Sequence, residues 1–206
     1  MHISVEASLK KLRTDYIDLL YVHWWDYDTS VEEIMDGFHN LVAQGKVLYL
    51  GISDTPAWIV TQANQYAKYN GKTPFTVYQG EFGRLGTFST SLSACAEGII
   101  LDMALAPFSV LAGGRLRTDA GEQRRKESGD GRKAERTPEE AAMGSALEKV
   151  AEEVGAKSIT SGKFANINHG VPTSTDTYIL VDLVALAYVM QKTTHIFPII
   201  GGRKVE

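Results

Sequence analysis

The sequence has a single cysteine, Cys95, so no internal disulfide can form, and a reducing compartment such as the cytoplasm is the expected setting. It has no excess of positive charge. The net charge of -4 at pH 7 gives no basis for a nucleic-acid partner or an anionic membrane surface. No hydrophobic run is long enough to cross a bilayer; the longest, YILVDLVALAYVM from Tyr178 to Met190, is interrupted by Asp182. The leading stretch MHISVEASLKKLR lacks the apolar core of a signal peptide, which argues against secretion. What remains is an ordinary globular composition of 206 residues, 44% hydrophobic and 22% charged, enough for one large domain or two small ones.

Within it, short apolar runs recur on a regular beat. DLLYVH begins at Asp18, VLYLGI at Val47, TVYQGE at Thr76 and MALAPF at Met103, with offsets of 29, 29 and 27 residues. Runs of this length, rich in Val, Leu, Ile and Tyr, suit strands of a parallel sheet buried on both faces. A fifth strand is expected at HIFPII, His195 to Ile200.

Helical signals fill the gaps. Ser30 and Glu33 have the spacing of a capping box, Val31, Ile34, Phe38, Leu41 and Val42 form a stripe, and Gly45 sits where a C-cap glycine belongs. Thr55 and Pro56 have the form of a cap followed by a first-turn proline; Ile59, Ala63, Tyr66 and Ala67 follow, and Gly71 ends the pattern. Thr137 and Pro138 repeat that start before Met143, Leu147, Val150 and Val154, with Gly155 at the close.

Strand, helix, strand, helix at a fixed interval means successive βαβ units. A doubly wound open sheet and a (β/α)8 barrel both fit, and the evenness of the beat favours the barrel. In either, ligands meet the carboxyl ends of the strands. His23 stands there on the first strand, Ser53 on the second, Gln79 on the third and Phe108 on the fourth, with Gly201 after the fifth. Each is also compatible with plain packing or surface exposure.

The motifs SLKKLRTDYIDLLYVHWWD, GKVLYLGISDTPAW, FTVYQGEF, MALAPFSVLAGGRL and FPIIGGRK, in this order from Ser8 to Lys204, resemble the aldo-keto reductases, in the branch of the fungal aryl-alcohol dehydrogenases. The resemblance implies an α/β fold of (β/α)8 TIM-barrel type, incomplete here, with about five of eight strand–helix units in one partial barrel domain over residues 1–206. It implies hydride transfer between NADP(H) and an aromatic aldehyde, ketone or alcohol. His23 matches the histidine that orients the substrate carbonyl, and Trp24 a residue lining the substrate pocket. Ser53, Asp54 and Gln79 match the residues holding the nicotinamide carboxamide. Asp54 departs from the family's usual Asn, turning an amide donor into an acceptor. Phe108 matches the aromatic residue on which the nicotinamide stacks. Ser109, Leu111 and Gly113 sit where backbone amides approach the pyrophosphate. Gly201, Gly202 and Arg203 match the adenosine-phosphate end, where a guanidinium suits a 2'-phosphate and favours NADP over NAD. No metal ligand is implied.

The resemblance also implies what this sequence does not supply. The family's acid tyrosine, with its assisting lysine and aspartate, lies on segments before the SLKKL helix. None of Tyr16, Tyr21 and Tyr27 sits in the tyrosine motif, so the expectation is a shortened chain without its general acid, a loss of about 100- to 10,000-fold. A non-catalytic cofactor-binding subunit or a degenerate fragment is the alternative. Open sheet edges would then favour self-association. Residues 161–182 interrupt one helical pattern and read as an insertion, either a real loop or a translated intron. Residues 83–102 also depart from the family pattern. Gly113 to Arg136, with Arg124, Arg125 and Lys126 in a row, reads as a mobile solvated loop; alternatively Arg115 or Arg117 approaches phosphate.

Overall fold

The computed structural model describes residues 1–82, 103–128, 135–153, 182–192 and 194–201. The described elements run α1 (His2–Leu12), β1 (Ile17–Val22), α2 (Val31–Ala43), β2 (Val47–Ser53), α3 (Ala57–Tyr69), β3 (Phe75–Glu81), β4 (Ala104–Phe108), α4 (Asp119–Ser128), α5 (Pro138–Glu153) and α6 (Asp182–Met190). A short 3-10 turn at Ala112–Gly114 follows β4. The chain divides into two compact units. One contains Met1–Glu81 and the first part of β4; the other contains Phe82 and the described residues from Phe108 onward.

In the first unit the four strands lie in the order β1-β2-β3-β4. β1 pairs parallel with β2, and β2 parallel with β3. The βαβ reading therefore holds, with parallel strands separated by helices. Val47, Leu50 and Ile52 of β2 have no exposed surface, as expected of a central strand. Burying each such side chain contributes about 1.5–3 kcal/mol.

Two expectations about the strands need correction. β1 is not buried on both faces: only Val22 is buried, and Leu19 lies opposite Tyr49, which is 59% exposed. β1 is the end strand of the described sheet, and edge strands are less covered than central ones. The run His195 to Ile200 forms no strand; Ile196 alone makes an isolated bridge. Pro198 has no backbone N–H to give to a ladder.

The helices form largely where their caps demand. Ser30 Oγ accepts from the Glu33 amide at 3.2 Å and starts α2. At its end Gly45, with φ 72°, donates to the Val42 carbonyl at 2.8 Å while Lys46 donates to Leu41 at 3.1 Å, the paired bonds of a Schellman stop. Val31, Ile34, Met35, Phe38 and Leu41 form the buried face of α2. It packs on β2 and α3, and Phe38 meets Phe75 of β3 edge-to-face at 6.5 Å.

Helix α3 starts differently from the sequence expectation. Pro56 is its cap residue and accepts from the Ile59 and Val60 amides, whereas the Thr55 hydroxyl turns back to donate to the Ser53 carbonyl at 2.9 Å. Thr55 is buried against β2, so its hydroxyl serves the strand end and leaves the helix end to the proline carbonyl. The inner face of α3 also includes Val60 and Asn64, which periodicity did not mark. Asn64 acts as a clamp. Its amide nitrogen donates to the Phe75 carbonyl at 2.9 Å, and its oxygen accepts from the Phe75 amide at 2.8 Å. One buried side chain thus satisfies both backbone groups where β3 begins.

In the second unit, α5 packs on α6 through Ala151, Leu147 and Val184. Val150 is exposed and does not belong to the inner stripe. Val154, Gly155 and residues 83–102 lie outside the described residues, as does the expected insertion 161–182 apart from Asp182, the first residue of α6. No helix among the described residues is long and apolar enough to cross a membrane.

Replacing Asn64 with Leu leaves the Phe75 N–H and C=O buried without their partner, at about 1–3 kcal/mol each. Chemical denaturation of Asn64→Leu should show a loss of about 2–4 kcal/mol. An unchanged midpoint would show that the clamp contributes little to stability.

Candidate functional site

The first unit brings a set of polar groups to one end of its parallel strands. Val22 pairs with Ile52, so His23 follows one residue beyond β1 at the end where Ser53 finishes β2. Ser53 in turn pairs with Gln79 of β3. His23 is exposed, Gln79 half-buried and Ser53 buried. Imidazole, hydroxyl and carboxamide therefore stand on three consecutive strands at one end of the sheet.

The turn after β2 is held from β3 by two bonds. The Asp54 amide donates to the Gln79 carbonyl at 3.0 Å, and the hydroxyl of the fully buried Tyr78 donates to the Thr55 carbonyl at 2.8 Å. Asp54 adopts φ 46°, a left-handed conformation that costs a non-glycine residue about 1–2 kcal/mol. The surrounding bonds hold it there, and the Ser53 hydroxyl donates to Asp54 Oδ2 at 3.3 Å. Strain of this kind concentrates where a side chain must be aimed. Tyr78 was missed from the sequence because an aromatic residue within a strand reads as core; nothing in its spacing announces a hydroxyl aimed at a turn.

The loop after β1 is ordered by Asp26. Its Oδ2 accepts from the Thr29 hydroxyl at 2.7 Å and its Oδ1 from the Asp28 amide at 3.0 Å, and these bonds hold its carboxyl below the usual carboxylate range. Trp24 is 77% exposed beside His23, while Trp25 is buried and anchors the loop. In the next strand, the ring of Tyr21 covers Gly51, where an added Cβ would fall 2.6 Å from the ring. Gly51 is therefore required by the close approach of its neighbour, and the same burial raises the Tyr21 phenol.

In the second unit, Phe108 closes β4 half-buried and its carbonyl accepts from the Phe82 amide at 2.9 Å. The chain then turns tightly. Ser109 (φ 59°), Ala112 (φ 49°), Gly113 (φ 64°) and Gly114 (φ 81°) all take left-handed backbone. The turn's internal bonds engage the amides of Ala112, Gly114, Arg115 and Leu116, the first two donating to Ser109 and Leu111 at 2.7 and 2.8 Å. These are not the amides of Ser109, Leu111 and Gly113 that the sequence motif singles out. Gly201 is exposed; Gly202 and Arg203 lie outside the described residues.

Among its described residues, the charged stretch after this turn departs from the solvated loop expected for Gly113 to Arg136. Leu116 and Arg117 are buried, and Asp119–Ser128 is helix α4. Several of its described charges pair internally. Arg117 donates to Glu122 and to the Gly114 carbonyl, and Arg136 donates to the Arg117 carbonyl at 2.7 Å and to Asp119 at 2.6 Å. Arg117 is thus engaged by Glu122 and the Gly114 carbonyl. Arg115 donates through Nε to Glu140 Oε1 at 2.7 Å, and Glu140 is 1% exposed. Glu140 also completes a capping box at the start of α5, taking the Thr137 amide at 2.9 Å while its own amide donates to Thr137 Oγ1 at 3.2 Å. The T-x-x-E spacing was present in the sequence; the ion pair across 25 residues was not legible there.

Removing the Tyr78 hydroxyl strips a donor from the buried Thr55 carbonyl. Tyr78→Phe should lose about 1–3 kcal/mol in thermal or chemical unfolding, and unchanged stability would show that the turn holds without it. Glu122 has its pKa lowered, first by the hydrogen bond from Arg117. A lowered folded pKa contributes stability above the unfolded value, about 4.3, that is lost as pH falls through the folded value. The stability difference between wild type and Glu122→Gln should be present at neutral pH and close below about pH 4.3. A difference that does not vary with pH would rule out this linkage.

The comparisons with known proteins follow the same features. The family model described as Aldo/keto reductase family matches residues 1–161. An aryl-alcohol dehydrogenase [NADP(+)] of Phanerodontia chrysosporium is 50% identical over 213 residues, covering 100% of this chain and 49% of the relative. A putative aryl-alcohol dehydrogenase of Saccharomyces cerevisiae is 45% identical, covering 100% of this chain and 65% of the relative. Norsolorinic acid reductase B of Dothistroma septosporum is 43% identical, covering 100% and 47%. The chain thus spans about half to two thirds of the length of these curated relatives. Parallel βαβ units, polar groups at the ends of β1, β2 and β3, and a match over most of the sequence lead to one assignment: the chain belongs to the aldo/keto reductase family.

Proposed function

We propose that this chain is the cofactor- and substrate-facing part of an NADP-dependent oxidoreductase that interconverts aromatic aldehydes or ketones and alcohols. The observation that carries the reading is the convergence of His23, Ser53 and Gln79 on consecutive parallel strand ends, the last two directly paired. The donor set fits a nicotinamide. A buried hydroxyl and a half-buried carboxamide suit the two hydrogen-bonding groups of its amide, with Asp54 held beside Ser53. When bound, the cofactor supplies or accepts a hydride.

The chain's own residues take the other roles. Ser53, Asp54 and Gln79 fix the nicotinamide carboxamide so that one ring face is presented. Phe108 offers a flat surface for the ring, and Ser109, Leu111 and Gly113 supply the turn that meets the pyrophosphate. Gly201, Gly202 and Arg203 receive the adenosine phosphate. His23 donates to the substrate oxygen and steadies charge developing there, while exposed Trp24 lines the approach. Two relatives named aryl-alcohol dehydrogenase support the aromatic substrate, and the relative named for NADP(+) supports the cofactor. The single cysteine supports a cytoplasmic setting. Among the described residues β1 has a paired neighbour on one side only, which supports self-association through that edge.

Purified chain should bind NADPH in a fluorescence titration and bind NADH at least about tenfold more weakly, the order of one charge-assisted phosphate contact. Oxidation of NADPH with an aromatic aldehyde should fall about 100-fold in His23→Ala, the order of a lost oxyanion donor. Binding without turnover would assign this chain a cofactor-binding role alone. Equal affinity for the two cofactors would remove the role given to Arg203, and no binding of either would overturn the reading.

A further inference from the structure

The charges of the first unit are segregated along its strands. Its described lysines and arginines, Lys10, Lys11, Arg13, Lys46, Lys68 and Lys72, lie on the last turns of α1 and α3 or on the links that lead into β1, β2 and β3. They therefore stand at the amino ends of the strands. The carboxyl ends carry no lysine or arginine among the described residues of this unit. They carry acids: Asp26 and Asp28 after β1, Glu32 and Glu33 in the first turn of α2, Asp54 after β2 and Glu81 at the close of β3. Of these, Asp54 is built into the candidate site. Its amide donates to the Gln79 carbonyl at 3.0 Å, its backbone is held at φ 46°, and its Oδ2 accepts from the hydroxyl of buried Ser53 at 3.3 Å. Asp54 is exposed and forms no ion pair among the described residues. A carboxylate without a counter-ion attracts positive charge over several ångströms. The two redox forms of a nicotinamide differ by such a charge, since the oxidised ring is a pyridinium and the reduced ring is neutral.

We propose that Asp54 is an electrostatic determinant of the site, favouring the oxidised, cationic form of the nicotinamide over the reduced form. This rests on the cofactor reading above, which places the carboxamide at Ser53 and Gln79. The charge preference is a separate property, because a neutral amide at position 54 would hold the carboxamide without favouring either form. By linkage, a site that binds the oxidised form better makes the bound reduced form the stronger hydride donor. The consequence is a site disposed to carbonyl reduction. The other acids of the same end add to the bias at longer range and form no site of their own. The positive end of α2 does not offset it, because Glu32 and Glu33 sit in that helix's first turn.

The test is calorimetric titration of the purified chain with NADP+ and, separately, with NADPH at low salt. In Asp54→Asn the ratio of the NADPH Kd to the NADP+ Kd should fall about three- to tenfold, the scale of one charge pair near a protein surface. Asn tolerates left-handed backbone, so the variant keeps the turn. The difference between wild type and variant should shrink as ionic strength rises from about 0.01 M to about 1 M, where the reach of a charge drops from about 30 Å to about 3 Å. An unchanged ratio, even with both affinities shifted together by a new hydrogen bond, would overturn the proposal while leaving the cofactor reading intact. So would a difference that salt does not alter. A wild-type chain that binds neither form would overturn the cofactor reading itself, and the proposal with it.

Discussion

The pairing of Ser53 with Gln79, continued by that of Val22 with Ile52, is the constraint from which the arrangement of the first unit follows. Parallel strands expose their carboxyl ends on one side, and their register decides which residues stand level there. A slip of one residue would reverse the face of every side chain on the strand. The register is therefore held from both ends. At the amino end of β3, Asn64 takes both backbone groups of Phe75. At the carboxyl end, the Gln79 carbonyl takes the Asp54 amide and the Tyr78 hydroxyl reaches the Thr55 carbonyl. Helices α2 and α3 supply the apolar cover that makes slippage costly.

The second unit solves a different problem. Few of its described residues form an extensive apolar core, and its charged residues are arranged as a ladder of pairs. Arg117 and Glu122, Arg136 and Asp119, and Arg115 and Glu140 join the turn after β4 to α4 and to the start of α5. Glu140 is almost fully buried, and a buried carboxylate is tolerated only with donors around it. Gly144 brings α5 onto the backbone of Arg117, where a side chain at that position would lie 2.6 Å from the carbonyl oxygen. The left-handed residues Ser109 and Ala112 are strained locally and are held by the bonds around them.

These two units show why some features were legible in advance and others were not. The beat of apolar runs identified β1 to β4, because buried strands recurring in one sheet, the first three paired in parallel with α2 and α3 between them, leave a hydrophobic period in the chain. The caps at Ser30, Gly45 and Gly71 were also legible, since each depends on a few adjacent residues. Thr55 misled because its hydroxyl had two local options, and burial against β2 decided between them. The run at His195 misled because an apolar composition does not reveal whether a strand has a neighbour to pair with, and Pro198 removes a donor.

The sequence by itself determined the repeating βαβ pattern, the family and which residues end β1 to β4, because these are properties of near neighbours in the chain. Only the tertiary structure decided which charges pair. A run such as GGRLRTDAGEQRRKE reads as solvated until folding places Glu140 under Arg115 and Glu122 beside Arg117. It also decided that Tyr78 and Asn64 serve distant backbone groups, across 23 and 11 residues. The physical reason is that hydrogen bonds and ion pairs act over a few ångströms in space, while sequence patterns report only spacing along the chain.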